Sequence, residues 1–126
     1  MKAKNRSKFF HGSVSDFEET KGYFIGQFMG QKGKPVLETE EVEIARKTLP
    51  TTFEDEVPHY HKKGVEINMV VSGKYRVWIE GEEKELKKGD FLVVYPEVKL
   101  KNISADEGTE LIVIKAPSVP DDKFDI

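Results

Sequence analysis

From His59 to Glu82 the chain reads His59-Tyr60-His61-Lys62-Lys63-Gly64-Val65-Glu66-Ile67-Asn68-Met69-Val70-Val71-Ser72-Gly73-Lys74-Tyr75-Arg76-Val77-Trp78-Ile79-Glu80-Gly81-Glu82, and very little of it suits a helix. Residues 65–71 form a β-branched run closed by Ser72-Gly73. Residues 75–79 alternate in character, the period-two signature of a strand with one face buried. Glu80-Gly81-Glu82 predicts a tight hairpin, and Lys84-Glu85-Leu86 starts the return strand.

Outward from this stretch the same pattern continues. Lys87-Lys88-Gly89-Asp90 reads as a turn, and residues 91–95 are apolar on both faces until Pro96. Residues 111–114 predict the last strand, ended by Ala116-Pro117. Upstream, residues 23–29 are aromatic and β-prone, a Gly-rich turn follows over residues 30–35, and residues 41–46 alternate charged with apolar side chains. One short helix is expected over residues 13–19, capped by Ser13 or Ser15. Short strands joined by Gly-containing turns predict an all-β sandwich or barrel. A strand apolar on both faces needs cover on both sides, so a homodimer is expected.

Composition bounds the function. The 126 residues are one domain's worth, divided here into a basic N-terminal tail over 1–12, a core barrel over about 21–116 and an acidic, proline-containing tail over 117–126. Cysteine is absent, which removes thiolate nucleophiles and Cys-type zinc sites and suits a cytoplasmic location. The net charge of -3 with interleaved signs argues against a nucleic-acid partner. No apolar run is long enough for a membrane span, and no apolar stretch follows the basic start as a secretion signal would require. Charged residues make up 34% of the chain, mostly Glu and Lys, a mix that predicts a thermophilic source.

Chemistry concentrates in one place. His59 and His61 are two apart, so on a strand both imidazoles face one way. Glu66 follows after a turn at Gly64, and a hairpin is expected to bring it beside them. Two imidazoles and one carboxylate suit a divalent transition metal: Fe, Mn, Ni, Cu or Zn. Asn68 shares the face of Glu66 one rung deeper and is a candidate pocket residue.

The pattern His59-x-His61-x4-Glu66-x6-Gly73 resembles the first motif of the cupins. Gly89 to Pro96 and Asn102 resemble parts of the second. The resemblance covers residues 58–102 and implies a double-stranded β-helix, or jelly-roll, barrel. It also implies His59, His61 and Glu66 as ligands of one metal ion. The family's second motif supplies a third histidine, and here, four residues before Asn102, stands Val98. Four completions stay open: water alone, His11 or a residue of another subunit, Tyr95 or Glu97, or a site that binds its ligand without metal. Two functions follow. One is a metal-dependent enzyme of dioxygenase or sugar isomerase/lyase type acting on a small polar molecule, with Tyr95 as the candidate general base and pocket residue. The other is a non-catalytic module that binds a small molecule or carbohydrate.

Overall fold

The computed structural model describes residues 2–3, 8–27 and 35–126. Its strands run β1 (Lys2–Ala3), β2 (Tyr23–Ile25), β3 (Leu37–Glu38), β4 (Glu43–Thr48), β5 (His59–Tyr60), β6 (Val65–Ser72), β7 (Lys74–Ile79), β8 (Glu82–Lys87), β9 (Phe91–Val94), β10 (Leu100–Ala105), β11 (Glu110–Ala116) and β12 (Phe124–Asp125). A short 3-10 helix, Val14–Thr20, is capped by the Ser13 hydroxyl, which accepts from the Ser15 amide. The end of the strand expected over 23–29 and most of the turn expected over 30–35 lie outside the described residues.

Two sheets face each other as in a jelly-roll barrel. One has the order β1-β3-β2-β4-β11-β6-β9, the other β12-β5-β10-β7-β8. Their inner faces enclose Tyr23, Ala45, Val70, Tyr75, Val77, Leu86, Val94, Leu100, Leu111 and Val113. Alternation along each strand produces this: Tyr75 and Val77 point inward while Arg76 and Trp78 point out. Across β4, β11 and β6 the inward residues form three successive rungs, Glu43–Lys115–Glu66, Ala45–Val113–Asn68 and Lys47–Leu111–Val70.

Gly73 turns β6 into β7 with a positive φ of 82°, a conformation that side chains resist. A Cβ there would also stand 2.2 Å from Thr109 Oγ1 and 2.7 Å from Thr109 Cα, so the loop from β10 to β11 closes directly on this glycine. Gly89, by contrast, has a positive φ but open space around it.

Three features differ from the sequence reading. First, β5 and β6 do not form a hairpin. β5 pairs with β10 and β12 in one sheet, while β6 pairs with β11 and β9 in the other. Second, residues 100–105 form a strand that simple alternation conceals. A bulge between Asn102 and Ser104 shifts the parity, so Leu100, Asn102 and Ala105 oppose Ile79, Val77 and Tyr75. Third, the segment after residue 116 is built into the structure: β12 extends the smaller sheet beside β5, and the Phe124 ring stacks on Tyr60 at 5.6 Å.

Candidate metal centre and cavity

His59, His61, Glu66 and Asn68 are all buried and all line one cavity of about 290 Å³ between the sheets. Because β5 and β6 belong to different sheets, the imidazoles and the carboxylate meet across the barrel interior and not along one hairpin. The loop over residues 62–64 makes this crossing. Asp122 holds it: its carboxylate accepts the backbone N–H groups of Lys62, Lys63 and Gly64 at 2.9–3.2 Å. Burial would raise the Asp122 carboxyl, but these three donors outweigh it and hold it below its ordinary range.

The same residue orients His61. Its backbone carbonyl lies 2.7 Å from His61 Nδ1. A carbonyl only accepts, so Nδ1 carries the hydrogen, and in the neutral ring Nε2 keeps its lone pair. That Nε2 is buried without a hydrogen bond. It lies 3.2 Å from Glu66 Oε1 but is not aligned as a donor to it. His59 Nδ1 is likewise buried without a partner. The two rings meet edge to face with centres 5.6 Å apart. Burial, seconded by the Lys123 charge, lowers the His59 pKa and keeps that ring neutral.

Burial alone would raise the Glu66 carboxyl. The His61 ring, the Lys115 ammonium and the Asn68 amide, which donates to Oε2 at 3.0 Å, hold it instead at about 2. His61 moves the opposite way: its contact with Glu66 raises its pKa against the effect of burial.

Two orphaned imidazole nitrogens and an ionised carboxylate in one cavity match the donor set a divalent transition ion takes. A carbonyl on the far nitrogen of a histidine is also the usual support for a ligating ring. Even so, no group of three or more His, Asp or Glu side chains among the described residues stands at ion-holding spacing as the side chains lie.

The candidate completions fare differently. His11 and Glu97 are exposed, Tyr95 is 65% exposed, and none of the three lines this cavity. The weak general-base candidacy of Tyr95 therefore has no geometric support: β9 ends at Val94, and the chain turns outward there, with Glu97 N–H bonded to the His61 carbonyl at 2.6 Å. Val98 remains an apolar residue at the place where the resemblance expects a histidine. It precedes β10 and packs against the core, while the residue paired with His59 is Leu100, only 1% exposed. An isobutyl group thus stands directly opposite the first imidazole.

The cavity includes polar residues the sequence reading passed over. Glu56, in the segment before β5, accepts from the Asn102 backbone and, at 2.9 Å, from its side chain. Tyr75 donates its hydroxyl to Asn102 Oδ1, and burial pushes its phenol pKa up, so it stays protonated. Tyr23 hydrogen-bonds Lys115, whose charged form prevails despite burial because Tyr23, Glu66 and Glu43 surround it. A second cavity of about 250 Å³ opens on the same His61, Glu66, Tyr23 and Lys115 from the side of the C-terminal segment. Parity along β4 and β11 was the available signal for the lysines, since Lys47 and Lys115 share faces with Ala45 and Val113.

Comparison with known proteins agrees with this architecture. The model of the cupin domain matches residues 47–114. The nucleoside dehydratase Pac13 from Streptomyces superposes with a TM-score of 0.60 at 15% identity, covering 69% of each chain. KdgF from Halomonas sp. does so with a TM-score of 0.60 at 24% identity, over 70% of this chain and 81% of that one. A cupin protein from Bacteroides fragilis is 30% identical over 64% of this chain and 69% of its own, with a TM-score of 0.52. No curated protein matches the chain. With a match over more than half its length, and with two facing sheets that carry His59, His61 and Glu66 into one interior cavity, the chain belongs to the cupin domain family.

Proposed function

We propose that this chain is a small metal-binding cupin of enzyme type, holding one divalent transition ion on His59, His61 and Glu66 and acting on a small polar molecule in the cavity beside them. The observation that carries the reading is the pair of buried, unpartnered nitrogens, His59 Nδ1 and His61 Nε2, in one cavity with an ionised Glu66 whose Oε1 lies 3.2 Å from His61 Nε2. Leaving such atoms without a partner is costly unless something else binds there. When bound, such an ion supplies Lewis-acid polarisation or redox chemistry. The chain's own contributions are separate. Asp122 sets the His61 tautomer, Asn68 orients Glu66, and Tyr23 hydrogen-bonds the Lys115 ammonium at the cavity wall. Sharing a fold with a dehydratase is compatible with enzyme chemistry and carries no substrate across.

Elemental analysis of tag-free protein tests the metal. The expected result is about one ion of Fe, Mn, Ni, Cu or Zn per chain, lost in His59→Ala and Glu66→Ala. Protein that stays metal-free after reconstitution would refute it. That outcome would favour the second reading, a non-catalytic binding module, which the position of Leu100 opposite His59 supports.

We also propose that two copies pair through the outer face of the larger sheet. Met69 and Phe91 are cross-strand neighbours there, 42% and 66% exposed, with Ile112 next to Met69. Apolar side chains clustered so on one face favour a partner of the same kind. Sedimentation should give a dimer for the natural chain and a monomer for Phe91→Lys.

A further inference from the structure

The cavity carries charge that the metal reading leaves unused. Lys47, Lys115 and Lys123 line it, against two carboxylates, Glu56 and Glu66. Both carboxylates are already engaged. Glu56 takes both N–H donors of Asn102. Glu66 takes the Asn68 amide and faces His61. Lys115 is committed as well, to Tyr23 and, at 3.9 Å, to Glu43.

Lys47 and Lys123 remain. Among the described residues neither has a carboxylate within ion-pair distance. Lys47 is turned inward by strand parity, on the same face as the fully buried Ala45, and its ammonium rests 4.7 Å from the centre of the Tyr23 ring. A half-buried ammonium has lost part of its hydration, and one aromatic face returns only part of that loss. Lys123 reaches the same cavity from the C-terminal segment, just before β12. A positive, partly enclosed pocket whose carboxylates are internally satisfied favours an anion. Beside the two lysines, the Asn68 amide offers hydrogen bonds suited to a hydroxyl.

We infer that the ligand of this cavity is a small hydroxycarboxylate, its charge balanced by Lys47 and Lys123 and its hydroxyl turned toward the Asn68 amide. This deepens the proposed function and shares its cavity, but the anion selectivity belongs to the lysines and not to the metal.

The test uses acid and amide pairs of matched shape, lactate with lactamide and D-glucuronate with D-glucuronamide, titrated calorimetrically at fixed ionic strength. Each titration is run on metal-loaded and on chelated full-length protein. At least one acid should bind about tenfold or more tightly than its amide. The preference should persist in chelated protein and collapse toward unity in Lys47→Gln/Lys123→Gln, with circular dichroism confirming that the variant is folded. Acids and amides binding alike, no acid binding at about 10 mM, or a preference unchanged in the double variant would each overturn the inference. So would a preference that exists only with metal loaded. Metal content, measured separately, reports on the metal reading, so the two can fail independently.

Discussion

The inner face of the larger sheet changes character within five residues. At one end of β4, β11 and β6 the rung is Glu43–Lys115–Glu66; two rungs further it is Lys47–Leu111–Val70. The same three strands, with the same alternation, build a charged site at one end and a largely apolar core at the other. The apolar end depends on shape and burial, and Leu111 and Val70 sit at 3% and 4% exposure. The charged end depends on specific partners, since each buried polar group must find one. What this teaches is that stability and chemistry are divided along the strands, not between the sheets. Lys47 marks the point where the division fails, a charge on the apolar rung.

The division can be broken from either end. Leu111→Ala should have the largest effect, about 2–5 kcal/mol of lost stability from a cavity in the core, read from the urea midpoint, with metal content per folded chain unchanged. A loss of metal with little loss of stability would show that the two ends are not separate.

Glu66→Gln should act on the acid side of the stability profile. The folded pKa of Glu66 is depressed from 4.5 to about 2, so its contribution is fully present above pH 4.5 and is lost as pH falls through about 2. Urea titrations across this range should show a slope in the natural chain, amounting to on the order of 3 kcal/mol at most. The slope should be flatter in the variant. Equal slopes would mean that the carboxylate is not held ionised by its neighbours.

Asp122→Ala should have the smallest effect on stability, about 1 kcal/mol, because the amides of residues 62–64 recover water as partners. The Asp122 backbone carbonyl survives the substitution, so nitrogen NMR should still show the Nδ1–H tautomer of His61, while amide exchange at residues 62–64 should quicken. Unchanged exchange at these amides would show that the carboxylate does not hold the loop.

Much of this was legible in advance. The runs over 65–71, 75–79 and 111–114 read as strands and are strands, because half-buried strands must alternate or be β-branched. The turns at Gly73 and Gly89 were equally plain. His59, His61, Glu66 and Asn68 do share one cavity. The rest was hidden for identifiable reasons. A bulge between Asn102 and Ser104 broke the parity of β10, so the strand did not look like one. Tyr95 looked like a continuation of an apolar strand, although the chain turns outward beyond Val94.

By itself, then, the amino-acid sequence determined the strand periods, the turns and the identity of the three donors, because these depend on local spacing and backbone freedom. Only the tertiary structure decided that His59 and Glu66 stand on opposite sheets, that Asp122 arrives from the C-terminus to set His61, and that Tyr23, Lys47, Lys115 and Lys123 turn into the same cavity. Those contacts join residues tens of positions apart. Which strands pair across such separations depends on the packing of the whole barrel, which no local pattern records.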